Sequence, residues 1–325
     1  MRIQHIATTL GQPCGIGLFA EKLTTALKSA GAEVKCDTHL ISDGAADLVL
    51  LEHEWAILPT DAVRRFRQQC QVPIVLIPHT ADGSELADCV DGFIVLNDAV
   101  LSPTDKPVLH LSHPSFAPDQ LTNRAKLKRD LGLTDAAVVI GTSGFLMEHR
   151  HFAAAVARLM SSAQENHWLV CVCTSQHPTS PDWMRMELEA YAEAFPRNFI
   201  YINRFMPTDE LNRYWQACDL LWCWTVLPSR ASYASGVAAD MYGSGTRLIL
   251  ADKAQHTPVL SLPNVVRAPA DLDGMMQMVS AQARTGDFPR HDPRPVGWEA
   301  TAGRILGFLE SCAGIQPGHH AGATA

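Results

Sequence analysis

The sequence contains no C-x-x-C pair, although nine cysteines are distributed over its 325 residues. Zinc sites and disulfide frameworks are recognised by cysteines at fixed spacings, so most of these scattered cysteines are predicted to be free core residues. Cys171 and Cys173 lie two apart on a predicted strand and share one face, which suits burial. Cys14, beside a glycine-containing loop, is the one thiol near a candidate site.

The sequence also lacks any tract rich in lysine or arginine and any interleaving of aromatic with basic residues, and its net charge is -8. Nucleic-acid binding requires clustered cations, so we expect no nucleic-acid partner. No apolar run approaches the roughly 20 residues of a membrane span, and the start "MRIQHIATTL" lacks the apolar core of a signal peptide. We therefore expect a cytoplasmic protein; peripheral membrane association stays open.

What the sequence does have is a regular alternation of strand and helix patterns. Strands are predicted at 3–7, 33–36, 47–53, 73–79, 92–97 and 107–113, then at 137–145, 168–173, 198–205, 219–225, 247–252 and 264–269. Helices are predicted at 18–30, 151–163, 181–194, 208–218, 235–244 and 270–284. Such alternation is typical of parallel sheets covered by helices, so the fold class is predicted to be α/β.

The chain is longer than a domain with a single hydrophobic core usually is, so two domains are expected. With the alternation of strands and helices, this predicts two doubly wound, Rossmann-like domains with a ligand cleft between them. Pro114 and Pro118 interrupt the alternation, and a short helix ended by Gly132 follows. We therefore predict an N-terminal domain over 1–116, a C-terminal domain over 117–297, a terminal helix over 298–314 and a flexible tail over 315–325.

The first candidate site is a loop around Gly15 and Gly17. Together with Ala20 they fit the G-x-G-x-x-A dinucleotide fingerprint, and Asp37 lies where a ribose-binding acid is expected. In that fingerprint the first glycine follows the strand almost at once, whereas here "TTLGQPC" intervenes. The longer loop is predicted to arch over a ligand. A nicotinamide-dependent oxidoreductase is the alternative, although no hydride-transfer site is evident.

The second candidate site is the stretch "SGFLMEHRHF", which begins with Ser143 and Gly144. Arg150 lies at a predicted helix start directly after this loop, where a guanidinium and free backbone N–H groups would form a diphosphate site. A solvated charge at the start of the helix is the alternative for Arg150. His149 and His151 are weaker candidates, because neutral histidines beside a helix start need no ligand.

A third candidate is the small-residue loop that leads into the helix predicted at 235–244. The small residues Ala234, Ser235 and Gly236 would let the exposed backbone amides near 234–237 approach an anion closely. Asp240, on that helix, would accept hydrogen bonds from a ribose; a charge on the exposed face of the helix is the alternative.

Several segments, in their order along nearly the whole chain, resemble the retaining GT-B glycosyltransferases of family 4. The segments are "CGIGLFAEKL", "DLVLLEHEW", "PIVLIPH", "GFLMEHRHF", "TDELNRYWQACDLLW", "SGVAADMYGSGTRLIL" and "GWEATAGRILGFLE". The resemblance implies transfer of a sugar from a nucleotide-sugar to an acceptor hydroxyl with retention at the anomeric carbon. It also implies no structural metal and no cofactor besides the donor itself. The N-terminal domain would bind the acceptor and the C-terminal domain the donor.

The resemblance also implies roles for individual residues. Arg150 matches the basic residue that binds the donor diphosphate, Asp240 the acid that binds the ribose, and His79 the histidine beside the sugar. Gly15 and Gly17 match the loop over the diphosphate and the acceptor. The remaining donor-binding candidates are Ser143, Gly144, Phe205, Met206, Ser232, Ser235, Gly236 and Val237, and His53 and Glu54 are candidates for the acceptor cleft. For His53 and Glu54, capping of a neighbouring backbone is the alternative; for Phe205 and Met206, the alternative is a place in the core.

Two positions depart from the family pattern. Ser232 stands where the first acid of the E-x7-E signature is expected, and Phe145 stands where the arginine of the G-R-L segment is expected. Arg230, His149 or His151 would then compensate, or activity would be reduced. A nucleotide-binding or scaffold subunit with the same fold is therefore the second hypothesis, and an epimerase of that fold is a third. The donor base, the sugar, the acceptor and the oligomeric state are left open.

Overall fold

The computed structural model describes residues 1–12, 14–54, 57–79, 83–97, 104–176, 180–225 and 234–315. The strands are β1 (Arg2–Ile6), β2 (Glu33–Asp37), β3 (Leu48–His53), β4 (Ile74–Pro78), β5 (Gly92–Val95), β6 (Val108–His110), β7 (Val138–Phe145), β8 (His167–Thr174), β9 (Phe199–Asn203), β10 (Leu220–Cys223), β11 (Arg247–Ala251) and β12 (Val265–Ala268). The helices are α1 (Gly15–Ser29), α2 (Thr60–Gln69), α3 (Arg124–Asp130), α4 (Phe152–Ser162), α5 (Asp182–Ala194), α6 (Thr208–Ala217), α7 (Gly236–Tyr242), α8 (Thr257–Leu260), α9 (Leu272–Thr285) and α10 (Trp298–Cys312).

The chain divides into two compact units. Unit 1 comprises Met1–Ser112, Ser232–Ala234 and Trp298–Ala325, and unit 2 comprises His113–Ala231 and Ser235–Gly297. Each unit has its own sheet and its own cores on the two faces of that sheet. No helix in the described ranges is long and apolar enough to cross a bilayer.

Unit 1 is built on a sheet of six described strands in the order β2-β1-β3-β4-β5-β6. All its described strand pairs are parallel. β3 and β4 lie in the middle of the sheet, and all their residues are buried because helices cover both faces. α1 presents Phe19, Leu23 and Leu27 to this core, and α10 packs beside α1.

Unit 2 is built on a second sheet of six described strands, in the order β12-β11-β10-β7-β8-β9. Its strands also pair in parallel. Cys171 and Cys173 point to one face of β8 and are each 1% exposed, so the prediction of burial is confirmed for both. α8 and α2 were not among the predicted helices; α8 has only four residues, too few to show a helical period.

The strand orders locate a switch point in each sheet, where successive crossovers leave in opposite directions. In unit 1 it lies between β1 and β3, and in unit 2 it lies between β7 and β10. Doubly wound sheets bind ligands at the carboxyl ends of the strands beside such a point. The loops after these four strands are therefore the places to look for function in each unit.

Candidate functional site

Arg150 lies at the switch point of unit 2. It ends a 3₁₀ turn, Glu148–Arg150, between β7 and α4. Its Nη1 donates to Cys223 Sγ at 3.5 Å, at the end of β10. Gly144, near the end of β7, has φ +141, and a Cβ there would lie 3.7 Å from Arg150 Cζ. The guanidinium thus lies next to the carboxyl ends of both strands that form the switch point.

The hydrogen-bond partner of Arg150 in this sheet is the Cys223 thiol, whose pKa is shifted. Burial favours the neutral Cys223 thiol, but the hydrogen bond with His256 and the charge of Arg150 outweigh it and lower the pKa of Cys223 to about 7. His256 Nδ1 contacts the carbonyl of Ala251 at 2.8 Å, and its Nε2 lies 3.8 Å from the sulfur. Arg150 Nε is buried and has no hydrogen-bond partner within the part of the chain that the structure describes. Such a donor is suited to an anionic ligand.

The two histidines that flank Arg150 differ from each other. Burial and the neighbouring Arg150 charge lower the pKa of His149 to about 4, so this ring is neutral at physiological pH. It therefore cannot replace the positive charge that the family pattern has at position 145. His151 is exposed, adopts a left-handed φ of 46 before α4, and forms a T-shaped ring contact with Trp224.

The other predicted donor residues near β7 fall into two groups: Phe145 and Phe205 form a partly exposed pair of stacked rings, whereas Ser143 and Met206 are buried. Ser143 is buried, and its Oγ accepts a hydrogen bond from Trp215 Nε1 at 3.1 Å. Phe145 is half-buried and stacks on Phe205 with ring centroids 6.2 Å apart. Met206 is 5% exposed and packs in the core, which agrees with its alternative interpretation.

The start of α7 forms a second group within unit 2. Ser235 caps the helix by accepting a hydrogen bond from the Ala238 N–H at 3.4 Å, and Val237 packs half-buried on the core. A Cβ at Gly236 would lie 3.3 Å from His113 Nε2. Asp240 is half-buried, and its Oδ1 accepts from the Phe116 N–H at 3.3 Å. Asp240 therefore also has a structural partner. Ser232 and Arg230 lie outside the described residues.

The glycine loop of unit 1 follows β1 as predicted, and its two glycines differ. Gly17 is buried in the first turn of α1, where a Cβ would lie 2.4 Å from the Thr9 carbonyl oxygen. Only glycine allows this close approach of the helix to the loop. Gly15 is exposed, and a Cβ there would meet no described atom within 4 Å, so its surface is open to a ligand. Cys14 caps the helix, since its Sγ accepts from the Gly17 N–H at 3.3 Å.

The predicted acceptor residues lie at the ends of β3 and β4. His53 is 2% exposed, and its Nε2 donates to the Leu58 carbonyl at 3.1 Å. Burial lowers the pKa of His53, so it is a neutral ring that holds the following loop. This contact agrees with the backbone-capping alternative. The carbonyl of Glu54 accepts hydrogen bonds from two residues of the same loop, Ile57 and Leu58. His79, just after β4, keeps 11% of its side chain exposed.

Sequence reasoning missed the buried partners of His79. Glu52 Oε2 accepts from His79 Nε2 at 2.6 Å, and Glu52 Oε1 accepts from His5 Nε2 at 2.8 Å. Glu52 and His5 are 2% and 1% exposed. A signal was present, because Glu52 is an acid that directly follows the apolar run "LVLL" within one predicted strand, and buried carboxylates are rare without a partner. In the described segments, no group of three His, Cys, Asp or Glu side chains is arranged to hold a metal ion.

Comparison with known proteins found similarity in structure only. No family model and no curated protein sequence matches the chain. Sucrose-phosphate synthase from Thermosynechococcus elongatus superimposes with a TM-score of 0.64 at 13% identity, covering 96% of each chain. A UDP-forming α,α-trehalose-phosphate synthase from Burkholderia xenovorans has a TM-score of 0.58 at 16% identity, over 93% of this chain and 80% of that one. HepE from Anabaena, in complex with UDP and glucose, has a TM-score of 0.64 at 12% identity, over 95% of each chain.

These similarities extend over both sheets of the chain and concern proteins of one architecture. The identities are low, so they are evidence about the fold and not about the chemistry. The prediction of two doubly wound α/β domains is confirmed by the two parallel sheets and by these structures. The chain therefore has the GT-B fold.

Proposed function

We propose that the protein is a glycosyltransferase that moves a sugar from a nucleotide-sugar donor to an acceptor hydroxyl. The observation that carries the proposal is the position of Arg150 at the carboxyl-end switch point of a GT-B sheet, with a buried Nε that has no partner among the described residues. Structural neighbours with this fold include a UDP-forming synthase and a protein complexed with UDP and glucose. We therefore propose UDP-sugars as the first donors to test.

Arg150 would stabilise the charge that develops on the departing nucleoside diphosphate. A half-buried guanidinium is well suited to this role, because it is always charged and binds phosphate oxygens with more than one N–H. The neighbouring His149 is neutral, so the arginine is the source of positive charge in this loop. In this proposal the charge of Arg150 takes the place of a metal ion.

On the basis of the sequence resemblance and composition, we propose retention of the anomeric configuration, membership in family 4 and a cytoplasmic location. We propose that the leaving phosphate assists deprotonation of the acceptor, with no protein nucleophile. Within unit 2, the α7 start and Asp240 would bind the nucleoside; within unit 1, Gly15 and His79 would contact the sugars.

A nucleotide-binding subunit without transfer is the second candidate, and the phenylalanine pair favours it. Phe145 replaces the arginine expected from the family pattern and stacks on Phe205, so one positive charge is absent at the end of β7. Such a site would keep part of its affinity for a diphosphate while stabilising the transition state less.

Calorimetric titration with UDP, GDP, ADP and NAD tests whether the Arg150 loop binds a diphosphate. We expect Arg150→Ala to weaken nucleoside diphosphate binding by about 1.5–3 kcal/mol, or roughly 10- to 150-fold in Kd, because a charge-assisted hydrogen bond is lost. Arg158→Ala is the matched control: Arg158 lies on the adjoining helix α4, pairs with Asp273 at the surface and should leave the Kd unchanged. Equal affinity of wild type and Arg150→Ala would contradict the assignment, and binding of NAD alone would favour the oxidoreductase alternative.

A further inference from the structure

A chain of hydrogen-bonded polar groups crosses the core of unit 1 behind His79. It runs from His79 Nε2 to Glu52 Oε2 at 2.6 Å, and from Glu52 Oε1 to His5 Nε2 at 2.8 Å. It continues from His5 Nδ1 to Thr24 Oγ1 at 2.8 Å and from Thr24 Oγ1 to Cys36 Sγ at 3.1 Å. The middle members are buried, whereas His79 and Cys36 at the two ends are partly exposed.

The charges along this chain are balanced at its centre. Burial alone would raise the pKa of Glu52, but hydrogen bonds from His5 and His79 hold it below its usual range, so the carboxylate is ionised. Burial alone would lower the pKa of His5, but Cys36 and Glu52 raise it to about 9, so this ring is an imidazolium at neutral pH. The negative charge of Glu52 is therefore compensated by His5, and it does not require a second positive charge on His79.

This arrangement determines which nitrogen of His79 carries the proton. A carboxylate can only accept hydrogen bonds, so Nε2 of His79 must be the donor. In a neutral ring the other nitrogen, Nδ1, is then a hydrogen-bond acceptor. Other groups beside the His79 ring are the neutral His53 on β3 and the ring of Phe19 on α1, which forms a T-shaped contact with His79 at 5.3 Å between centroids.

We propose that Glu52, compensated by His5, is a positioning residue that fixes His79 as a neutral Nε2–H tautomer, so that Nδ1 accepts a hydrogen bond from a sugar hydroxyl. Only the identity of the ligand, a sugar hydroxyl, rests on the proposed function. The tautomer itself is a property of the free protein. Glu52 and His5 do not touch the sugar in this arrangement, and they act through His79.

The tautomer is measured by ¹⁵N NMR on the full chain with labelled histidine, with His79→Gln and His5→Gln used to assign the signals. At neutral pH we expect His79 to be protonated at Nε2 and unprotonated at Nδ1, with a ring N–H that exchanges slowly. In Glu52→Gln, one amide oxygen replaces the two carboxylate oxygens that accept from His79 Nε2–H and His5 Nε2–H. At least one of these two ring N–H signals should therefore lose its slow exchange. A wild-type His79 protonated at Nδ1 would overturn the proposal, and this result does not depend on whether a variant folds.

The binding readout separates positioning from a general loss of structure. We expect Glu52→Gln to weaken the affinity for UDP-glucose about 5- to 10-fold and the affinity for UDP less than about twofold, because a single hydrogen bond to the sugar is misaligned. Asp91→Asn is the matched control, since it also replaces a carboxylate in unit 1, where Asp91 pairs with Arg67 before β5. It should change neither affinity. Equal losses of affinity for UDP and UDP-glucose in Glu52→Gln would contradict the positioning role. A wild-type protein that binds neither compound would contradict the proposed function. The NMR measurement of the His79 tautomer would then decide the role of Glu52.

Discussion

Arg150 and His79 are each held by a partner that is almost completely buried, Cys223 in unit 2 and Glu52 in unit 1. A buried polar partner fixes a side chain more firmly than a solvated one, because its hydrogen bond has no competing water. Both partners come from the carboxyl ends of strands beside a switch point. At the residue scale, the candidate chemistry of each unit therefore depends on one partly exposed side chain and one buried partner.

His5 is expected to make stability depend on pH. Its pKa is raised from 6.5 to about 9 in the folded chain, so its contribution is complete below pH 6.5 and is lost as the pH rises through about 9. The shift corresponds to about 3 kcal/mol at most. We expect the difference in unfolding free energy between wild type and His5→Gln to shrink over this window in urea titrations. His39→Gln, at an exposed histidine of the same unit, is the control; an unchanged difference from pH 6 to pH 10 would contradict the His5–Glu52 ion pair.

Asp240 has a structural partner and a proposed ribose partner, and one substitution separates the two roles. Asp240→Asn keeps an oxygen that can accept from the Phe116 N–H, so stability should change little. It removes the negative charge, so UDP binding should weaken roughly tenfold, because hydrogen bonds to charged groups are the stronger ones. Binding of 2′,3′-dideoxy-UDP should be unaffected. An equal loss for both nucleotides would assign Asp240 to structure alone.

At the element scale, most strands were predictable because they are short apolar runs bounded by turn residues. The run "LVLLEH" became β3 and "WLVCVC" lies within β8, with boundaries close to those predicted. The predicted helix at 235–244 is shorter, Gly236–Tyr242. A Cβ at Gly243 would lie 2.0 Å from the Phe116 carbonyl oxygen, a close approach that the sequence pattern alone does not reveal.

The first turn of α1 offers a matched pair of glycine substitutions. Gly17→Ala should lower the unfolding free energy by about 1–3 kcal/mol, because its Cβ would meet the Thr9 carbonyl oxygen 2.4 Å away. Gly15→Ala, two residues earlier, meets no described atom within 4 Å and should leave stability unchanged or slightly higher. Thermal and urea unfolding of the two variants measure the difference. Equal stabilities would show that the loop moves away from the helix at little cost.

At the scale of the whole molecule, alternation of strands and helices was sufficient to predict the fold class. Parallel strands must be joined by crossover connections, which are usually helices. Strand and helix patterns therefore alternate along the sequence of both sheets. Candidate site residues could be located from the sequence where they follow strands, as Arg150 and His79 do. His5 and Glu52 are 47 residues apart and meet through strand pairing, and nothing in either local pattern specifies that contact.

The most direct test of the central claim is to follow nucleotide-sugars by ³¹P NMR while the protein is supplied with a panel of sugar and sugar-phosphate acceptors. We expect the wild-type protein to convert at least one donor, with UDP-sugars tested first, to its nucleoside diphosphate only when an acceptor is present. Arg150→Ala should lose this conversion, and Arg158→Ala should keep it. A folded wild-type protein that binds UDP but leaves every nucleotide-sugar intact would contradict glycosyl transfer and support the nucleotide-binding subunit instead.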